Sequence, residues 1–582
     1  MCKYLFSATS LASLILIAGL SASAAPAGVP SNLPGAIGGY DKDPITGRPD
    51  NSQQQPSLLD PTESVPIKNE TEKPELSPAL SQKISIKTIQ LEGFTKLTAA
   101  QTNKITAPWE GKELTFQEIQ DNIVTPLNKL YEKEGYITTV VFVPPQKIED
   151  GVVRIQATEG TVSEVVFEAG KYFKERAVVP RIQTKTGDIF RVNDLVKSLR
   201  RINENPDLVV DATLKAGEAP GETKIVLKPR KEVFPLHFTP FYDNLGRFPI
   251  GRQRLGATVT DNNTLGFGDT AYVSPYFTTH SMGILGGYEV PLGSHGTKVG
   301  FSMAHTEFDV DQAGVDFHGR SNIYQPYIMK ELYRSERSIW NAELAFANKS
   351  STFYADNVML NQDRLRLITP ALSYRHYDKT GQFYTRHELG IGLDVFGATI
   401  GSDALSSRPG AGSQFIRYTG NATRVQKLFK GTYGVFRGVG QYSPNPLVSL
   451  EQFQVGGASS VRGYQEGRLI GDSGFAVSAE WHVPLWFLPE RWNVRGYKLK
   501  DNIEFVSFAD FGAAFDNQAF SGVNAQSGKV NPNAYALGVG AGIRARLNRY
   551  LNARVDFGFP LLRQNPDADM MRVHFGLESR VF

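Results

Sequence analysis

The tetrapeptide Val-Arg-Gly-Tyr occurs twice in this chain, at residues 461–464 and again at 494–497. An arginine beside a glycine can carry its planar guanidinium on a backbone bend and fork two hydrogen bonds onto a carboxylate. The stretch NIEFVSFADFGAAF offers such a carboxylate. Its alternation puts Ile503, Phe505, Phe511 and Phe515 on one face and Asn502, Glu504, Phe508, Asp510 and Gly512 on the other. Asp510 therefore belongs to the polar face, and a charge in a confined interior needs a partner. Other chemistry is not in evidence. Gly471, Asp472, Ser473 and Gly474 spell the surroundings of a serine-protease nucleophile, but Phe475 stands where the next glycine belongs. The nine histidines have no His-Glu-x-x-His or other ligand spacing, and no glycine-rich phosphate loop is present. The expectation is no enzyme, no catalytic residue, no cofactor and no metal.

The elements that must position Arg462 and Asp510 come from the C-terminal part of the chain. After Arg230 helical periodicity stops, and short alternating segments are separated by Gly/Asn/Asp/Pro clusters. In AYALGVGAGIRARLN, Tyr535, Leu537, Val539, Ile543 and Leu547 share one face, while Gly538, Gly540, Gly542, Arg544 and Arg546 share the other. In LNARVDFGF, Leu551, Val555, Phe557 and Phe559 oppose Asn552, Arg554, Asp556 and Gly558. A soluble sandwich also alternates. A secretion signal, a cysteine-free mature chain, strands of about ten residues and small or charged residues on the second face favour an outer-membrane barrel. At about 22 residues for a strand and its connection, about 350 residues make about sixteen strands.

With both barrel ends in the periplasm, the final strand MRVHFGLESRVF runs inward and the strands before it alternate in direction. Residues 461–464 then lie in an outer loop. Residues 494–497 lie in a periplasmic connection with no inward carboxylate assigned to it. Glu578 and Arg580 share the parity of the terminal Phe582, which a lipid-facing end would need a bulge to accommodate.

The N-terminus has the form of a signal peptide: Lys3, an apolar run over 11–20, and the small-x-small site Ala22-Ser23-Ala24. The single cysteine, Cys2, falls inside it, so neither a disulfide framework nor a thiolate metal site is expected. Residues 25–83 are a Pro-rich leader or linker with nothing to bury. From Ile84 the order strand, helical region, helix, strand, strand occurs twice, over 84–158 and 159–230, and the barrel takes 231–582. Thr115 with Glu118 forms a capping box, Gly135 ends that helix, and Pro126 kinks it. The net charge of +3 does not argue for a nucleic-acid partner. No apolar run of about 18 residues follows the signal, which argues against a helical membrane protein.

These motifs resemble one family. VGGASSVRGYQEGRLIGDSG is similar to the characteristic loop of the two-partner secretion transporters (TpsB, ShlB/FhaC-like haemolysin secretion/activation proteins). FADFG is similar to their Phe-x-Asp-x-Gly strand motif, and residues 135–160 resemble their first POTRA domain. FYDNLG and DNNTLGFGD resemble their opening barrel strands. The resemblance implies a mainly β chain: two periplasmic α/β POTRA domains, then a 16-stranded antiparallel barrel with porin activity in the bacterial outer membrane. It implies export of one cognate TpsA-type exoprotein, a β-helical adhesin, haemolysin or contact-dependent inhibition toxin, bound by the POTRA domains. Insertion by the barrel-assembly machinery and contact with outer-membrane lipid follow from it. It also implies that Val461, Arg462, Gly463 and Tyr464 form a loop latch on Phe508, Asp510 and Gly512. An insertion factor of the same superfamily is the alternative, although such a factor usually has more than two POTRA repeats. A nutrient receptor would need a folded plug of about 150 residues, which the duplicated β/α units do not resemble.

Overall fold

The computed structural model describes residues 67–69, 83–247, 250–312, 314–494, 496–516, 533–548, 551–562 and 570–580. The signal peptide, most of the leader, Arg495 and Phe582 lie outside the described residues.

Two small α/β units come first. β1 (Ile67–Asn69) precedes the first unit, in which β2 (Lys83–Ser85) and β3 (Thr88–Glu92) divide the stretch expected as one strand. Then follow α1 (Ala99–Thr106), β4 (Glu113–Thr115), and α2, made of Phe116–Ile119, a π turn Gln120–Val124 and Thr125–Glu134. β5 (Val140–Phe142) and β6 (Val152–Thr158) close the unit in the order β3-β6-β5. Thr115 and Glu118 make the capping box, and Gly135 ends the helix at φ 94°. The π turn lies just ahead of Pro126, widening the ladder where a proline removes a donor. Ile119, Ile123 and Leu127 of α2 are buried against Val153 and Ile155 of β6.

The second unit repeats the plan with β7 (Thr161–Phe167), α3 (Glu175–Val178), α4 (Val192–Ile202), β8 (Leu208–Ala216) and β9 (Glu222–Glu232). Leu195, Leu199 and Ile202 pack on Val210, Leu214, Ile225 and Leu227. Its sheet order is β1-β8-β9-β7. Residues Ile67–Asn69, inside the stretch expected as an unstructured leader, thus run parallel to Ala212–Leu214. Strand addition needs only backbone donors and acceptors, so side-chain patterning did not announce it.

The barrel is closed and contains sixteen antiparallel strands. In order they are β10 (Leu236–Asp243), β11 (Arg254–Asp261), β12 (Thr270–Phe277), β13 (Ser281–Leu292), β14 (Thr297–Gln312), β15 (Val315–Arg334), β16 (Ser338–Ala355), β17 (Val358–Asp378), β18 (Gly381–Gly392), β19 (Ile416–Lys427) and β20 (Tyr433–Tyr442). A loop hairpin, β21 (Phe453–Val455) with β22 (Leu469–Gly471), interrupts the wall, which resumes at β23 (Ser473–Pro484). A periplasmic hairpin, β24 (Asn493–Val494) with β25 (Tyr497–Lys498), precedes β26 (Ile503–Phe515), β27 (Asn533–Asn548), β28 (Leu551–Pro560) and β29 (Arg572–Ser579). The 20 and 21 residues of β15 and β17 are about twice what spans a bilayer, so these strands project beyond it.

Outward positions are apolar and exposed, among them Leu255, Phe277, Ile328, Leu344, Phe505 and Phe557, whereas Glu343, Arg386, Glu480, Asp510 and Asp556 are buried inside. β10 and β29 close the barrel over only three residue pairs, from Phe241↔Glu578 to Asp243↔Gly576. The Asn244 side chain extends that seam by bonding Val573 O and Phe575 N, both at 2.8 Å. Register is unbroken within β29, and the bulge expected to seat Phe582 falls outside the described residues. Glu578 pairs with Asn552 in unbroken register and shares the inward parity of buried His574, while Leu577 points out.

Candidate functional site

The connection between β20 and β23, residues 443–472, folds back into the barrel instead of standing outside it. Val461 is fully buried and Arg462 is 4% exposed. The guanidinium makes the fork: Arg462 Nε donates to Asp510 Oδ2 and Nη2 to Asp510 Oδ1, each at 2.7 Å, and the Arg462 backbone N–H donates to Oδ2 at 3.1 Å. The remaining arm, Nη1, donates to Glu480 Oε1 at 2.6 Å. The guanidinium also lies 3.5 Å from the centroid of the Phe508 ring, a cation–π contact from the residue two places before Asp510.

β26 supplies this surface because its side chains alternate across the wall from Phe505 to Gly512. Phe508, Asp510 and Gly512 face inward, and Ala509 between them is exposed. Gly512 is a docking floor: a Cβ there would stand 2.6 Å from Val455 Cγ1 and 3.0 Å from Val461 Cγ2. Gly538 and Gly558 on the next two strands clear the backbone of Arg462 and Gly463 in the same way. Gly463 itself has φ 97° and would bring a Cβ within 2.9 Å of Pro560 N. The hydroxyl of Tyr464 donates to Leu562 O at 2.7 Å and lies 3.2 Å from Leu537 O, bridging the outer ends of β27 and β28.

The second copy of the tetrapeptide sits at the opposite end of the wall, in the connection between β23 and β26, and its arginine lies outside the described residues. Val494 and Tyr497 form the paired ends of the β24–β25 hairpin, and Gly496 makes its turn at φ 88° with open space around it. Asp472 and Ser473 of the protease-like string are structural. Arg408 forks onto Asp472, and Ser473 Oγ donates to Ser443 O at 3.3 Å.

Three residues of the site were not singled out from sequence. Glu480 takes the second arm of Arg462, and Ser478 Oγ both accepts from Arg462 Nη2 at 3.1 Å and donates to Asp510 Oδ1 at 2.7 Å. His482 reaches Glu480 and Glu504, each at 3.1 Å. All three alternate with Val477, Ala479 and Trp481 in VSAEWH, so strand parity alone would have turned them inward. Their register against β26, Ser478↔Asp510 and Glu480↔Phe508, puts them at the latch. The carboxylates, hydroxyl and guanidinium together make one buried, hydrogen-bonded polar cluster between the loop and the wall strands β23 and β26.

Comparisons with known proteins agree with this architecture. Residues 221–544, more than half of the chain, match the family "Haemolysin secretion/activation protein ShlB/FhaC/HecB", and residues 84–160 match "POTRA domain, ShlB-type". The chain is 21% identical over 489 residues to the outer membrane transporter CdiB of Dickeya dadantii, covering 82% of this chain and 83% of that one. It is 24% identical over 421 residues to the hemolysin transporter protein ShlB of Serratia marcescens, covering 68% and 72%. Among solved structures, CdiB from Escherichia coli has the same fold, with a TM-score of 0.68 at 21% identity over 88% of this chain and 92% of that one.

Proposed function

Because the chain belongs to the haemolysin secretion/activation protein family and is an outer-membrane transporter of the two-partner secretion type, we propose that it exports one cognate exoprotein through a pore closed at rest by the Arg462 latch. The exoprotein class that fits is a large β-helical adhesin, haemolysin or contact-dependent inhibition toxin. The observation that carries the reading is the burial of an outer loop's arginine inside the lumen, forked onto Asp510 and bonded to Glu480. A wide barrel without such a closure would leak.

In this reading residues 1–24 are the signal peptide, 25–83 a leader, 84–158 and 159–230 the two POTRA domains, and 231–582 the barrel. The POTRA domains lie in the periplasm. They take the unfolded exoprotein by strand addition at a sheet edge. The barrel-assembly machinery inserts the chain, and nucleic acid plays no part. The transporter performs no catalysis and holds no cofactor or metal, so export draws its direction from folding of the exoprotein outside the cell.

Deleting residues 84–158 tests the division of labour. A barrel still assembled in the outer membrane with export abolished is the expected result. Normal secretion by that deletion would refute the role given to the first POTRA domain.

A further inference from the structure

The loop that carries the latch is held in two places by two different kinds of contact. Its stem, on either side of the β21–β22 hairpin, is built into the wall. Leu447, Val448 and Leu450 are buried against Ala347, Leu365, Leu367, Ala411 and Phe415. Glu451, 2% exposed, receives Lys349 Nζ of β16 at 2.6 Å and Arg417 of β19. At the other limb, Asp472 receives Arg408 from the β18–β19 connection and the Leu447 N–H at 2.9 Å. The Gln441 side chain of β20 bonds both limbs, Glu451 O at 2.8 Å and Asp472 O at 3.1 Å.

The tip, residues 456–468, touches β23, β26, β27 and β28, the strands that follow the loop around the wall. It does so through the Arg462 clasp, the Tyr464 hydroxyl and contacts with wall glycines. The tip is also bonded to itself: Gly456 N to Ser460 Oγ at 2.8 Å, Ala458 N to Glu466 Oε1 at 2.7 Å, and Gly467 N to Gly456 O. Where it leaves the hairpin, Gly456, Gly457 and Gly467 sit at φ 115°, 99° and 65°. Glycine can leave these left-handed conformations without a steric penalty, and a few such positions suffice for a hinge.

We propose that the loop is a two-part gate. The stem stays in the wall, and the tip swings as one body on Gly456, Gly457 and Gly467. Glu451 with Lys349 and Arg417, and Asp472 with Arg408, are positioning residues that keep the hinge aimed at Asp510. The chemistry separates the two parts. Freeing the stem exposes an apolar cluster and breaks three buried ion pairs spread over two limbs, whereas freeing the tip withdraws one arginine from Asp510 and Glu480, one tyrosine hydroxyl, the Gly463 N–H bond to His574 and the packing of Val461 on Ala514 and Ala536. This division rests on the reading of Arg462 as the closure.

Cysteine accessibility tests it in the full-length chain. With Cys2→Ser as background, Ser460→Cys reports on the tip and Ser449→Cys on the stem; both serines are buried at rest. Each is exposed to a membrane-impermeant maleimide on whole cells, with and without Arg462→Ala, and barrel assembly is followed by heat-modifiable gel mobility. Arg462→Ala is expected to raise labelling of Ser460→Cys several-fold and to leave Ser449→Cys at background. In the same assay Glu451→Gln is expected to expose Ser449→Cys. Labelling of both sites with Arg462→Ala would mean the loop leaves in one piece, and labelling of neither would mean the tip is not released; either overturns the proposal. Secretion is scored in parallel. A labelled tip with undiminished secretion would count against Arg462 as the export closure while leaving the two-part division standing.

Discussion

Gly538 of β27 lies so close under the carbonyl of Arg462 that a methyl group there would overlap the oxygen. The glycine is therefore the floor on which the tip rests. Gly538→Ala is expected to leave the barrel assembled but lift the tip, raising single-channel conductance in planar bilayers and lowering secretion. Gly438→Ala, whose new Cβ would meet only Val477 Cγ1 at 3.8 Å, is expected to change neither. Equal conductance from the two variants would remove Gly538 from the gate.

The clasp has two carboxylates, and this changes what a charge swap can achieve. Removing one side of a buried pair costs about 3–5 kcal/mol because the other charge is left unpaired. Arg462→Ala and Asp510→Ala are each expected to assemble, to secrete poorly and to alter conductance. In a double-mutant cycle on secretion, a coupling of about 1–3 kcal/mol is expected. A two-partner site would let Arg462→Asp with Asp510→Arg recover part of the activity. Here the new aspartate would face Glu480 at the place where Arg462 Nη1 now donates, so the swap is expected to fail until Glu480→Gln is added. Rescue by the simple swap would show that Glu480 does not act on the latch.

The duplicated tetrapeptide makes a comparison within one chain. Gly463 and Gly496 both have positive φ, so alanine strains each backbone by about 1 kcal/mol. Only Gly463 also abuts another strand, at Pro560 N. Gly463→Ala is expected to cripple export and Gly496→Ala to leave it near normal. Arg495→Ala is likewise expected to be silent. If the second copy proved the sensitive one, the assignment of the two loops to opposite ends of the barrel would fail.

Those two loops also show what could be read in advance. The facing of Phe508, Asp510 and Gly512 was legible because a strand's period is two and needs no tertiary knowledge. Glu480 and Ser478 obey the same parity, but their meeting with Arg462 depends on the β23–β26 register, which no local pattern states. The pairing of Glu451 with Lys349 and Arg417 was less accessible still. It joins an outer loop to β16 and β19, and those partners become neighbours only when the barrel closes. Strand β1 escaped for a different reason: an added edge strand is held by its backbone, so a stretch rich in proline and glutamate can supply three paired residues without any apolar alternation.

Acid sensitivity is expected in the first POTRA domain, where Thr95, Lys96 and Tyr131 bond the carboxylate of Glu159, the residue just past its end. Burial pushes this carboxyl up, but more than offsetting bonds come from the hydroxyls of Thr95 and Tyr131 and the N–H groups of Lys96 and Thr95, so its pKa is held below the ordinary value. A carboxyl depressed on folding binds fewer protons folded than unfolded. Its contribution is therefore complete above the ordinary glutamate pKa and is lost as pH falls through the lower, folded value. Hydrogen exchange at the Thr95 and Lys96 amides in the whole protein reads this directly. Protection there is expected to hold at neutral pH and to decline in acid faster than at Val153 and Ile155 in the same domain's core. Glu159→Gln should weaken protection at neutral pH and flatten its pH dependence. An unchanged acid profile in Glu159→Gln would place the sensitive group elsewhere and reduce the Glu159 contacts to packing.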